Sequence, residues 1–193
     1  MHSQRPLRLA LAGSLAATLC AVAAPAAFAQ MGMSDPMVGG AAMYPSKNIV
    51  ENAVNSRDHT TLVAAVKAAD LVPTLEGPGP FTVFAPTNAA FDKLPPGTVQ
   101  TLLEPQNKGE LAKILTYHVV AGRYTTEDLM RMIREGGGSA TLTTVEGEPL
   151  TVTSNDGRIM VTDAKGGVAT VTIGDVIQSN GVIDVVNQVL MPS

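Results

Sequence analysis

The run Phe81–Phe91, FTVFAPTNAAF, constrains this chain more than any other stretch. Phe81, Thr82, Val83 and Phe84 are aromatic or β-branched and favour a packed, pleated surface. Pro86 has no N–H to give to a ladder, so the strand is expected to stop there. Thr87 then offers a hydroxyl to cap a helix over roughly Asn88 to Leu94, which Pro95-Pro96 ends. A buried strand that turns at once into a short capped helix admits few architectures.

Two further segments share this density of signal. ILTYHVVAG runs from Ile114 to Gly122, and NGVIDVVNQVLMP runs from Asn180 to Pro192. In order and spacing the three segments resemble the fasciclin domain family, whose members carry motifs like TVFAPTNxAF, a central Tyr-His and a final NGVIHVIDxVLLP. The resemblance extends from about Ser46 to Pro192. It implies an α+β fold in which helices of the N-terminal half pack on a mainly antiparallel β-sandwich or wedge, with FTVFAP joining the sheet. It also implies an adhesion or interaction module rather than an enzyme. Carried over, Tyr117 and His118 are packing residues first and candidate interaction residues second, and Thr87 and Asn88 mark the turn at which contact is expected. Asp184 stands where the family often has histidine, and Asn187 where it often has aspartate. Contacts made by that histidine or aspartate are therefore not carried over.

The N-terminus reads as an export signal over residues 1–29. Arg5 and Arg8 precede an alanine- and leucine-rich stretch, and Ala27-Phe28-Ala29 supplies a cleavage pattern, so the mature chain is expected to begin at Gln30. The apolar part is too short and alanine-rich to favour a permanent span. The sole cysteine, Cys20, falls inside this signal, so the mature chain carries no disulfide. Loss of two arginines and no acid takes the formal charge from −4 to about −6. An acidic chain with few aromatics and no basic stripe is a poor nucleic-acid binder. What remains is long enough for one core, expected as a monomer without a cofactor.

Residues 30–45, rich in Gly and Met with no apolar period, read as a flexible leader before a domain over 46–193. Helices follow. Ser46 is the expected cap of one containing Ile49, Val50, Ala53 and Val54, and Asp58 the cap of one carrying Leu62, Val63, Val66 and Ala69. Val99–Leu103, Leu111–Tyr117 and a segment from Thr125 or Thr126 to Arg134 read as helices, the last ended by Gly136-Gly137-Gly138. Beyond Ser139 the period changes to two. Ala140–Val145, Leu150–Ser154, Arg158–Thr162 and Val168–Ile173 read as strands, with a tight hairpin at Asp156-Gly157. Val182–Val186 and Val189–Leu190 are expected to finish the sheet.

Chemistry-bearing residues are sparse. His118 continues the stripe Leu111, Ile114, Leu115, so it reads as a buried ring bonded to a backbone or side-chain partner. His59 reads as a surface residue in a helix first turn. Gly137-Gly138-Ser139-Ala140-Thr141 lacks the closing glycine of a nucleophile elbow. Met31, Met33, Met37 and Met43 form a soft-ligand alternative, in which the leader holds Cu(I) in a periplasmic binding module. The favoured expectation is an exported, non-enzymatic module, periplasmic or extracellular, that touches a cell-surface or matrix protein or a polysaccharide.

Overall fold

The computed structural model describes residues 35–193. The expected export signal, with Met31 and Met33, lies outside these residues. The segment that follows is not the flexible leader the composition suggested. Strands β1 (Met37–Val38) and β2 (Ala41–Ala42) pair antiparallel across Gly39-Gly40, both at positive φ. A glycine pair between short apolar flanks is a hairpin signal, and it outweighs the missing long-range period. Val38 and Met43 are buried in the core. Asn52 locks the end of this segment, accepting from the Tyr44 N–H at 3.1 Å and donating to its carbonyl at 2.8 Å.

The helical half follows in order: α1 (Ile49–Ala53), α2 (Thr60–Ala68) and α3 (Val72–Leu75). After strand β3 (Phe81–Pro86) come α4 (Asn88–Phe91), α5 (Thr98–Leu103) and α6 (Lys108–Tyr117). Two expected caps move. Asn48, not Ser46, caps α1 through a capping box with Glu51. Asp58 lies in a 3₁₀ turn (Arg57–His59) ahead of α2, and a more distant residue supplies the cap, as described below. Thr87 caps α4 as expected, its hydroxyl accepting from the Ala90 N–H at 3.3 Å.

Strand β4 (Val119–Ala121) leads to α7 (Thr126–Glu135), then β5 (Ser139–Thr143), β6 (Pro149–Asn155), β7 (Arg158–Thr162), β8 (Val168–Gln178) and β9 (Gly181–Val186). Thr125 and Asp128 form a capping box on α7, and Leu129 and Ile133, one turn apart, are its buried residues. Gly137 and Gly138 take positive φ after α7, and the Gly138 N–H returns to the Ile133 carbonyl at 2.8 Å. Asp156 and Gly157, both at positive φ, turn β6 into β7.

Seven strands form one sheet in the order β4-β3-β9-β8-β7-β6-β5. All neighbours are antiparallel except β3 and β9, which run parallel from Phe81↔Gly181 to Pro86↔Val186. The outer strands approach each other: Val120 bridges Thr144, and the Val145 N–H reaches the Val119 carbonyl at 2.7 Å, so the sheet nearly closes. Val189 and Leu190, expected to extend the sheet, are irregular. The Leu190 N–H is instead taken by a side chain, which removes it from any ladder.

The two-residue period of the central strands divides the core. Val83, Ala85, Ile183 and Val185 pack with Ile49, Leu62, Leu75, Phe91 and Leu115 under the helices. Phe84 and Val186 pack instead with Tyr117, Leu129, Leu150, Val152 and Val161. Every residue of β9 is buried, as a strand covered on both faces requires. Among the described residues no helix is long and apolar enough to cross a membrane.

Candidate interaction site

The three sequence segments meet in space because β3 lies between β4 and β9. His118 is the residue that ties them together. It caps α6, and its ring nitrogen Nδ1 stands 2.8 Å from the Ile114 carbonyl, one of the carbonyls a helix end leaves unpaired. Nε2 accepts from the Leu190 N–H at 2.9 Å. An acceptor at Nε2 requires the proton on Nδ1, which donates to Ile114, so both nitrogens are committed and the tautomer is fixed. Burial pulls its pKa down to about 4, against a smaller upward pull from the Ile114 carbonyl.

Tyr117 is fully buried beside it. Its hydroxyl donates to the Pro149 carbonyl at 3.1 Å and accepts from the Ala164 N–H at 2.9 Å, pinning β6 and the turn after β7. Tyr117→Phe should therefore lower stability by about 1–2 kcal/mol, since it removes two hydrogen bonds that tie the end of α6 to β6 and to the turn after β7. Urea unfolding of the two proteins measures this, and an unchanged midpoint would contradict it.

Asn88 supplies the cap that Asp58 does not. Its Oδ1 accepts from the Thr61 N–H at 3.0 Å and its Nδ2 donates to the Arg57 carbonyl at 2.9 Å. One amide thus closes the N-terminus of α2 and fixes the 3₁₀ turn before it. Asn88→Ala should cost about 1–2 kcal/mol, the usual loss for a helix cap, read as a fall in the melting temperature. Thr87 and Asn88 are half-buried, and around them Arg57, Thr60, Ala89 and Lys93 are exposed. Lys93 Nζ donates to the Asn187 carbonyl at 2.7 Å, joining this surface to the last motif. Of the four interaction candidates, then, Thr87 and Asn88 border solvent, whereas Tyr117 and His118 support the fold from beneath.

Other residues hold the site in ways the sequence reading did not assign. Asn180, buried at the β8–β9 turn, accepts from the Ile49 N–H at 3.1 Å and donates to the Leu75 and Gly77 carbonyls at 2.7 and 3.0 Å. Thr82 donates to the Gly122 carbonyl at 2.8 Å and accepts from the Tyr124 N–H at 2.9 Å. Asp184 is wholly buried on β9: Oδ1 accepts from the Asp175 N–H at 3.0 Å, and Oδ2 has no partner among the described residues. Desolvation, helped by the Asp175 charge, pushes its carboxyl up to about 7. The sequence marked Asp184 only as a departure from the family pattern. His59 corrects a reading: it is buried, not at the surface, because the 3₁₀ turn directs it inward beside Ser56, whose Oγ lies 2.9 Å from Nδ1. Of the methionine set, Met43 packs in the core and Met37 is exposed.

A fasciclin domain model matches residues 57–192. The chain is 48% identical over 156 residues to protein sll1483 of Synechocystis, covering 81% of this chain and 79% of that protein. It is 35% identical over 201 residues to immunogenic protein MPB70 of Mycobacterium bovis, covering 94% of this chain and 92% of the other. A solved FAS1 domain pair from the insect cell adhesion molecule Fasciclin I shares the fold, with a TM-score of 0.69 at 21% identity over 76% of this chain. The chain spans about half of that pair, 51% of its length. Sequence motifs, sheet topology and these likenesses agree, and the chain belongs to the fasciclin domain family.

Proposed function

We propose that this protein is an exported, non-enzymatic interaction module that makes cell-surface or extracellular-matrix contacts with a protein or polysaccharide. The observation that carries the reading is how the motif side chains are used. Both ring nitrogens of His118, the hydroxyl of Tyr117 and the amide of Asn88 are spent on internal bonds. A ring with both nitrogens engaged and its pKa near 4 is a poor general base. The motifs therefore build a rigid frame, and recognition falls to the exposed side chains it presents. We place the contact on the surface around Thr87 and Asn88, where the first motif meets α2 and Ala89 points to solvent. Fasciclin I, a cell adhesion molecule by description, supports this class of function through a shared fold. The leader alternative loses Met43, whose thioether is enclosed in the core.

The test is saturable binding of residues 30–193 to cell-surface and matrix fractions, with Ala89→Arg as the probe of the surface. The reading expects saturation by the parent chain and a loss of at least about tenfold in the variant, with an unchanged melting temperature. Turnover of an ester, peptide or glycoside substrate that one point mutation abolishes would overturn it.

A further inference from the structure

Leu142, Val152, Val161 and Ala169, one on each of β5 to β8, point into the core, so their neighbours along each strand point outward. The antiparallel register aligns these outward residues in rows across the sheet. One row runs Thr141, Thr151, Thr162, Val168, and the next, two residues along, runs Ser139, Thr153, Met160, Thr170. Neighbouring strands lie about 4.8 Å apart, so each row of four crosses about 14 Å. Elsewhere in the fold threonine hydroxyls are tied up, as at Thr82, Thr116, Thr125 and Thr144. The hydroxyls of the two rows make no such bond among the described residues, and Ser139, Thr141 and Thr151 are exposed. A depression of about 350 Å³ opens at the end of the second row, where Asn155, Asp156 and Arg158 join Met160 and Thr170.

Neither row carries a charged side chain, although the chain has 13 basic and 17 acidic residues to place. Asp156 and Arg158 at the depression are of opposite sign and balance. A charged polymer or a membrane surface therefore finds no excess of either sign here. A protein partner usually anchors on Trp, Tyr or Arg in a desolvated pocket, and the rows present no aromatic ring. What they present at each threonine is a hydroxyl, both donor and acceptor, beside a methyl. The branched Cβ holds these groups stiffly at χ1, so little side-chain freedom is lost when they are covered.

We propose that the outward face of β5 to β8 binds an extended, neutral, β-linked polysaccharide chain, which lies along the threonine rows and sets one sugar in the depression beside Asn155 and Arg158. Sugar hydroxyls, themselves donors and acceptors, exchange bonds with the threonine hydroxyls, and the threonine methyls meet the C–H faces of the rings. The free amide of Asn155, the Asp156 carboxylate and the Arg158 guanidinium supply donors and acceptors for one sugar at the end of the row. A straight chain keeps successive sugars over successive strands, which a coiled chain cannot do. This face shares no residue with the surface around Asn88, and either assignment can fail without the other.

The experiment titrates residues 30–193 with cellohexaose, an extended β-1,4-linked glucan, and separately with maltohexaose, its coiled α-linked isomer. Binding is read from threonine methyl and backbone amide resonances. The proposal expects saturable shifts at Thr141, Thr151, Thr153 and Thr162 with cellohexaose, and affinity for maltohexaose weaker by roughly tenfold or more. Thr151→Val combined with Thr162→Val keeps the side-chain shape and the strand preference while deleting two hydroxyls. That variant should lose roughly tenfold or more in affinity for cellohexaose at a melting temperature no lower than the parent's. Ala89→Arg should bind cellohexaose as the parent does, which separates this face from the surface around Asn88. No saturable shift with cellohexaose, equal affinity for the two hexasaccharides, or full affinity in the double valine variant would each overturn the proposal. So would a matrix protein that moves the same threonine signals undiminished by saturating cellohexaose.

Discussion

Asp184→Asn gains stability relative to the parent chain as pH rises from 5 to 8, by roughly 2–3 kcal/mol. The carboxyl is wholly buried, one of its oxygens is unpaired, and its pKa stands near 7 in the folded state. Unfolded, it returns to about 3.9. Between these values the unfolded chain has released a proton that the folded chain retains. Stability from this group is thus lost as pH rises from the unfolded pKa to the folded one, and the loss is complete above about 7. Asparagine cannot ionise. Its Nδ2 inherits the unpaired position at a cost of about 1–3 kcal/mol, but that cost is the same at both pH values. Denaturant unfolding of both proteins at pH 5 and pH 8 measures the swing. A stability difference that does not change with pH would show that Asp184 does not titrate as its burial requires.

His118→Ala costs about 3–5 kcal/mol, the larger of the two effects at neutral pH. The substitution empties a fully enclosed ring volume and strands the Ile114 carbonyl and the Leu190 N–H. It also cuts the link between the end of α6 and the last motif. A variant as heat-stable as the parent would refute this. The same histidine works against Asp184 in the pH profile. Its folded pKa, near 4, lies below the ordinary 6.5, so the unfolded chain binds the extra proton. Stability from His118 is full above about 6.5 and is lost as pH falls toward 4. In that window the two slopes oppose each other, giving the parent a shallow profile. Asp184→Asn removes one slope and exposes the acid loss of the other.

Much of this architecture is legible in the residues because local signals and tertiary needs agree. FTVFAP is β-branched and aromatic up to a proline, and it forms β3; Thr87 caps the helix that follows. The alternation after Ser139 marks four strands, and Asp156-Gly157 marks their tight turn. What stays hidden depends on partners far away in sequence. Nothing local tells that the cap of α2 comes from Asn88, 27 residues from Thr61. Strand β4 is three residues long and follows a helix directly, so its pairing with β3 decides it and not its own pattern. The N-terminal hairpin is too short for a period; its one local signal is the pair Gly39-Gly40, and the packing of Val38 and Met43 holds it to the core. The frame of the candidate site was readable in the Tyr-His pair and in NGVIDVV. The burial of His59 and Asp184 was not, because burial of a polar side chain is set by neighbours that the flanking residues do not name.

In the proposed function the Tyr117–His118 pair acts through the fold, and contact is made by the surface around Asn88. The direct test measures affinity for one matrix fraction, per folded molecule, for the parent chain, Ala89→Arg and Tyr117→Phe. The account predicts that Ala89→Arg stays folded and loses at least about tenfold in affinity, while Tyr117→Phe melts earlier yet binds as tightly as the parent where folded. Full affinity in Ala89→Arg, together with lost affinity in folded Tyr117→Phe, would contradict it.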